Sequence, residues 1–106
     1  MSKAELKRAG ELLLAQQLGQ ISCLIFQPRY DLMVEGVKVA RYTADFEYIE
    51  TISGHDAEKG EDFVKEMTVV EDTKPPGFMD KYAKLKIDLF NAIFAKDGLS
   101  VRISRR

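Results

Sequence analysis

The stretch Met67-Thr68-Val69-Val70-Glu71-Asp72-Thr73-Lys74, followed at once by Pro75-Pro76-Gly77, restricts the fold more than any other part of the chain. It opens as an apolar, β-branched run and closes on two acids and a lysine. Such a run predicts a buried strand whose last residues emerge at the edge of a sheet. The prolines stop the ladder just beyond Lys74, since neither can donate a backbone hydrogen bond. Alternation puts Val70, Asp72 and Lys74 on one face and Val69, Glu71 and Thr73 on the other. A carboxylate and an ammonium two residues apart then point the same way at a strand end. That arrangement can hold a divalent metal beside a nucleophilic water, or it can be a plain surface ion pair.

At 106 residues the chain suits one domain with one core. No apolar run approaches the roughly 18 residues of a membrane span, so no membrane partner is expected. Met1-Ser2-Lys3-Ala4-Glu5 lacks the apolar core of a signal peptide. The single cysteine, Cys23, cannot form an internal disulfide, and together these features predict a reducing cytoplasm. The net charge of −1 is unevenly spread: residues 47–73 carry nine acids against two lysines, whereas residues 74–106 carry eight basic groups against three acids. A basic final third can supply phosphate contacts. The alternative is a solvated helix face with a charged tail.

Residues 3–18 have helical spacing, with Leu6, Ala9, Gly10, Leu13 and Gln17 on one stripe and Glu5, Ala9, Leu12 and Gln16 on the adjacent one. Ser2 is placed to cap the helix, with Glu5 completing a capping box, and Gly19 to end it. Glu5 is therefore either a capping acid or an acid that looks inward at a site. Residues 21–34 predict a strand bent near Gln27-Pro28, and after the Glu35-Gly36 turn Val37 to about Ile52 predicts its hairpin partner. On that partner Ala40, Tyr42, Ala44, Phe46 and Tyr48 share a face with core character. Asp45 falls in mid-strand, where a buried acid needs a partner or a metal. Residues 53–62 predict a polar loop holding His55, and the third strand runs from about Phe63 to Lys74. Phe78 to about Lys96 predicts a second helix with Phe78, Tyr82, Leu85, Leu89 and Ile93 on its apolar stripe, widened by Phe90 and Phe94. Asp97-Gly98 stops it, and 99–103 alternates as a last strand. The expected order is α-β-β-β-α-β, an α/β fold on a mixed sheet flanked by helices, the last strand pairing parallel after its crossover helix.

Glu5 on the first helix, Asp45 on the second strand, and Asp72-Thr73-Lys74 at the end of the third resemble the PD-(D/E)XK nuclease superfamily. There an aspartate on one strand and a D/E-x-K on the next follow a helix bearing a glutamate. The wider pattern is similar to a small phage-encoded subgroup of that superfamily. The matching pieces are Ser2-Lys3-Ala4-Glu5-Leu6-Lys7-Arg8, Gln27-Pro28-Arg29-Tyr30-Asp31-Leu32, Tyr42-Thr43-Ala44-Asp45-Phe46, Val69 to Lys74, and Lys84-Leu85-Lys86 with Leu89-Phe90. The chain departs from the superfamily in carrying Ala44 where a proline usually precedes the first aspartate. It departs from the subgroup in Pro75-Pro76, which replace a glycine after the lysine, and in its longer acidic 53–62 segment.

The resemblance implies a restriction-endonuclease-like core, similar also to Holliday-junction resolvases, and Mg²⁺-dependent cleavage of DNA, with branched or recombining phage DNA in a bacterial host as a candidate substrate and Mn²⁺ as a substitute. It assigns Asp45, Asp72 and the Thr73 carbonyl to the metal, and Lys74 to the attacking water. Glu5 goes to a second metal or a metal-bound water, and Gln27, Lys84 and Lys86 to nucleic acid. Glu71, on the opposite face, is structural or a salt-bridge acid. Competing expectations are a buried ion-pair network at Asp45, Asp72 and Lys74, a non-catalytic DNA-binding or assembly module, and a homodimer inactive as a monomer.

Overall fold

The computed structural model describes residues 2–74 and 80–105. Expectations placed on Pro75, Pro76, Gly77 and Phe78 lie outside the described residues. The first helix, α1 (Lys3–Gln17), is capped by Ser2, whose Oγ accepts from Glu5 N at 3.2 Å, and it runs out into Gly19 at φ 78°. Of the two candidate stripes the one through Ala9 and Leu12 is buried, while Leu6 and Leu13 are 59% and 47% exposed. Arg8, beside Ala9, accounts for the choice. It reaches across 63 residues of sequence to fork onto Glu71, with Nε 2.6 Å from Oε2 and a terminal nitrogen 2.9 Å from Oε1. Hydrophobic periodicity carries no trace of such a long-range ion pair.

The strands are β1 (Ile21–Phe26), β2 (Arg29–Val34), β3 (Val37–Thr43), β4 (Phe46–Asp56), β5 (Glu61–Lys74) and β6 (Val101–Arg105). A four-stranded sheet has the order β1-β4-β5-β6, and β2 and β3 form a separate two-stranded sheet. β1 with β4 and β4 with β5 are antiparallel, and β5 with β6 is parallel. The second helix, α2 (Lys81–Phe94), connects the last two. Asp80 caps it, accepting from Ala83 N at 2.8 Å, and a 3₁₀ turn, Ala95–Asp97, follows. The chain is thus an α/β fold on a mixed sheet with two helices.

The strand expected to bend at Gln27-Pro28 and the one expected to run on from Val37 to about Ile52 are each broken, and at the same level. The bend at Gln27-Pro28 separates β1 from β2, and Ala44-Asp45 separates β3 from β4. Gln27 takes φ 52° there. Across the gap Gln27 N donates to Asp45 O at 2.9 Å and Ala44 N donates to Pro28 O at 3.1 Å. Asp45 N donates to Glu71 O at 3.2 Å, which ties the corner to β5. Pro28 has no N–H to continue a ladder, so the hairpin turns where its bonding would fail. Asp45 therefore occupies a corner rather than a mid-strand position.

The corner also splits the face expected to be common to Ala40, Tyr42, Ala44, Phe46 and Tyr48. Phe46 and Tyr48 pack with Ala9, Leu12, Ile21 and Val69 under α1. Tyr42 and Ala44 pack with Leu32, Val70, Ile87 and Phe90 against α2. Val69 and Val70, adjacent in β5, thus head the two cores. On α2 the buried residues are Ile87 and Phe90, so the helix is rotated from its expected stripe and Tyr82 and Leu85 stand 80% and 65% exposed. The aromatic cluster sets that rotation: the Tyr30 and Phe90 centroids are 4.9 Å apart, and those of Phe90 and Phe94 4.5 Å.

The expected 53–62 loop is mostly strand. β4 and β5 stay paired out to Asp56 and Glu61, leaving 57–60 as the turn. Asp56 Oδ1 accepts from Glu58 N at 3.0 Å and Lys59 N at 3.2 Å, and Gly60 takes φ 66°. His55, on this ribbon, pairs its Nδ1 with Asp62 Oδ1 at 2.7 Å in solvent. Among the described residues no helix is long and apolar enough to cross a membrane.

Glu71 is fully buried. Besides Arg8 it accepts from the Tyr48 hydroxyl at 2.5 Å and from Ser104 Oγ at 2.9 Å, joining α1, β4, β5 and β6. Burial pushes its carboxyl up, but the hydrogen bonds from Arg8, Tyr48 and Ser104 with the Arg8 charge outweigh that and leave it below the usual value. Removing one partner of a buried ion pair strands the other. Arg8→Met should lower unfolding free energy by about 3–5 kcal/mol in urea titrations, and Arg8→Met with Glu71→Met should recover most of it. A loss below about 1 kcal/mol in the single variant contradicts this role, being the size of an exposed pair.

Candidate functional site

The end of β5 carries the chemistry on its other face. Asp72 is 3% exposed. The Tyr42 hydroxyl donates to its Oδ2, and Lys74 Nζ stands 3.6 Å from the same oxygen. The corner brings Asp45 alongside, and its Oδ2 accepts from Thr73 N at 2.7 Å. Asp45 and Asp72, apart by 27 positions, therefore lie side by side with Lys74 next to them. The corner is what allows it, since it leaves Asp45 in the break between β3 and β4 and brings its carboxyl to Thr73 N of the neighbouring β5.

The electrostatics of Asp45 are unusual for an acid. Burial raises the Asp45 carboxyl, the Thr73 N–H bond lowers it, and the hydrogen bond and charge of Asp72 raise it again, with Lys74 lowering it. The net result is a pKa of about 6. Burial, then the hydrogen bond to Asp72, pushes the Tyr42 hydroxyl far above its ordinary value, so it stays a proton donor. Tyr42 was legible in the sequence only as a core residue. A buried tyrosine needs a partner for its hydroxyl, and that need was the available signal.

Asp72 and Lys74 open onto a cleft of about 460 Å³. Its walls are Arg41 and Tyr42 of β3, the end of β5, and the first turns of α2 with Tyr82 and Lys86. Lys86 is thus in the cleft. Lys84 points away and pairs with Asp88 at 2.8 Å in solvent. Gln27 is exposed at the corner, joined to Asp45 through its backbone N–H. Glu5 lies in the first turn of α1, on the helix that covers the Glu71 face. It is not brought to the Asp45–Asp72 pair: among the described residues no group of three or more acids, histidines or cysteines is spaced to share one ion. The Thr73 hydroxyl points by alternation to the Glu71 face, where its Oγ1 is buried with no hydrogen-bond partner among the described residues.

Two abutting carboxylates beside an ammonium can bind a hard cation, hold a water, or share a proton. Comparison with protein-family models, with curated proteins and with solved structures gives no match.

A carboxyl raised on folding stabilises the protein below its unfolded pKa, and the contribution is lost as pH rises through its folded value. For Asp45 that window runs from the ordinary 3.8 to about 6. Asp45→Asn keeps an acceptor for Thr73 N–H and removes the charge. Without divalent ions it should melt several degrees above the wild type at pH 7.5, on the order of 1–2 kcal/mol after solvent screening. The gap should close as pH falls towards 4. A variant less stable than wild type at pH 7.5 would show that Asp45 is held by net attraction instead.

Proposed function

We propose that the chain is a divalent-metal-dependent DNA endonuclease of the PD-(D/E)XK type, built on a restriction-endonuclease-like core. The observation that carries this is the convergence of Asp45 and Asp72, remote in sequence, beside Lys74 at the mouth of a cleft. The element order supports it as well: three antiparallel strands after α1, then α2 and a parallel strand, with the β2–β3 hairpin as an addition.

The donor set fits Mg²⁺ or Mn²⁺. Asp45, Asp72 and the backbone carbonyl of Thr73 are oxygen donors, as hard cations require. The pair is also poorly neutralised by the protein, which a cation would correct. When bound, the ion would lower the pKa of water and stabilise charge on the scissile phosphate. The chain's own groups do the rest. Thr73 N–H and the Tyr42 hydroxyl fix the two carboxylates in orientation. Lys74 offers a positive charge and three N–H donors to a water or a phosphate oxygen entering the cleft. Lys86, one wall away, adds charge for the strand backbone. Glu71 and Arg8 on the reverse face keep the strand end rigid.

Metal binding and cleavage can be tested separately. Mg²⁺ or Mn²⁺ should raise the melting temperature of the wild type but not of Asp72→Ala. Tyr42→Phe should weaken the metal dependence of that shift by roughly 10–100-fold, the usual loss when a group supporting a ligand is removed. In the presence of either ion the wild type should cleave branched, single-stranded or duplex DNA, and Asp72→Ala should not. No thermal response to metal together with no cleavage of any substrate, or equal cleavage by Asp72→Ala, contradicts the proposal.

A further inference from the structure

We propose that the cleft receives one unpaired nucleotide of a DNA strand, its base lying on the Tyr82 ring and its phosphate held among Arg41, Lys74 and Lys86. This rests on the nuclease function proposed above and names its substrate class. Tyr82 is the most exposed large hydrophobic residue described, at 80%, and it stands on the cleft wall. The side of α2 that packs inward is filled by Ile87 and Phe90, so Tyr82 has no place in the core. Lys86 follows Tyr82 by one helical turn and shares its side of the helix. Arg41 lines the same cleft from the β2–β3 hairpin, and Lys74 lines it from the end of β5.

An aromatic ring between cations is the combination that binds single strands, because stacking uses the face of a base and the cations track the backbone. Inside a duplex that face is covered by the neighbouring base pairs, so away from duplex ends the Tyr82 ring can be used only by a base that is unpaired. The volume agrees: about 460 Å³ is the size of a small-ligand pocket. Arg41, Lys74 and Lys86 supply donors for a phosphate along the lining, although Arg41 also reaches Asp31 at 3.4 Å and Lys74 reaches Asp72 at 3.6 Å, while Asp80 is engaged in capping α2. A site selective for unpaired nucleotides would direct cleavage to flaps, gaps and branch points.

The test uses the full chain in EDTA, so that binding is read without cleavage. Anisotropy is measured with a short labelled strand, with the same strand annealed to its complement, and with the matching mononucleotide as competitor. The strand should bind at least several-fold more tightly than the duplex, and the mononucleotide should compete only weakly. Tyr82→Ala should weaken strand binding about tenfold and leave duplex binding unchanged. Lys86→Gln should reduce the salt dependence of strand binding by about one phosphate contact. The chain has no tryptophan, so Tyr82→Trp supplies a single reporter whose fluorescence should be quenched by the strand. Because Tyr82 is exposed, unchanged melting temperatures will confirm intact folding. Duplex binding as tight as strand binding, with Tyr82→Ala indistinguishable from wild type, overturns the inference and leaves the nuclease proposal standing. A mononucleotide that matches the strand also overturns it. Absence of any DNA binding, in EDTA or with Ca²⁺, removes both.

Discussion

The structure depends on how it handles two adjacent acids at the buried end of one strand. The end of β5 is covered on both faces, so alternation drives Glu71 into one layer and Asp72 into the other. A buried carboxylate needs a partner of opposite charge or a set of donors. Glu71 receives both, from Arg8, Tyr48 and Ser104. Asp72 receives a tyrosine hydroxyl and a lysine at 3.6 Å, and beside it stands a second acid. The contrast separates a carboxylate that holds the fold together from one to which the proposed function gives a chemical role. Unsatisfied charge that a fold retains is a common mark of a functional site.

The corner at Gln27-Pro28 and Ala44-Asp45 links this electrostatic arrangement to the architecture. One long hairpin serves two layers because it breaks there. Its lower half builds the main sheet under α1, and its upper half folds over to meet α2. The same break releases the Asp45 carboxyl towards Thr73 and Asp72, and it raises the wall that carries Arg41 and Tyr42. Fold and cleft therefore share a cause: a proline without an N–H on one strand and an aspartate opposite it.

Much of this is legible in the sequence because it is local. The alternation of Val69 to Lys74 assigns both faces of β5 correctly, Ser2 caps its helix, and the position of Pro28 marks the bend. What fails is what depends on partners far along the chain. The burial of the Ala9–Leu12 stripe over Leu6 and Leu13 follows from Arg8 meeting Glu71. The rotation of α2 away from Tyr82 and Leu85 follows from the Tyr30–Phe90–Phe94 ring cluster. The ribbon at 53–62 reads as loop because it is polar on both faces, although Asp56 and Gly60 spell out its turn. Of the residues placed at the site by resemblance, Asp45, Asp72, Lys74 and Lys86 gather around the cleft or beside it. Glu5 does not, because α1 covers the opposite side of the sheet, and Lys84 does not, because two positions along α2 turn it to another side of the helix from Lys86.

The Asp45 carboxyl is raised by burial and by Asp72 beside it, and in the proposed function a divalent cation supplies the missing counter-charge. Carbon-13 NMR of the aspartate carboxyl groups, titrated with and without Mg²⁺, measures this directly. The account predicts that the pair shows an apparent pKa near 6 without metal, assigned to Asp45 by the Asp45→Asn spectrum, and that Mg²⁺ drives it down well below that value. Two carboxyls that both titrate in the ordinary range near 4, with curves indifferent to Mg²⁺, would contradict it.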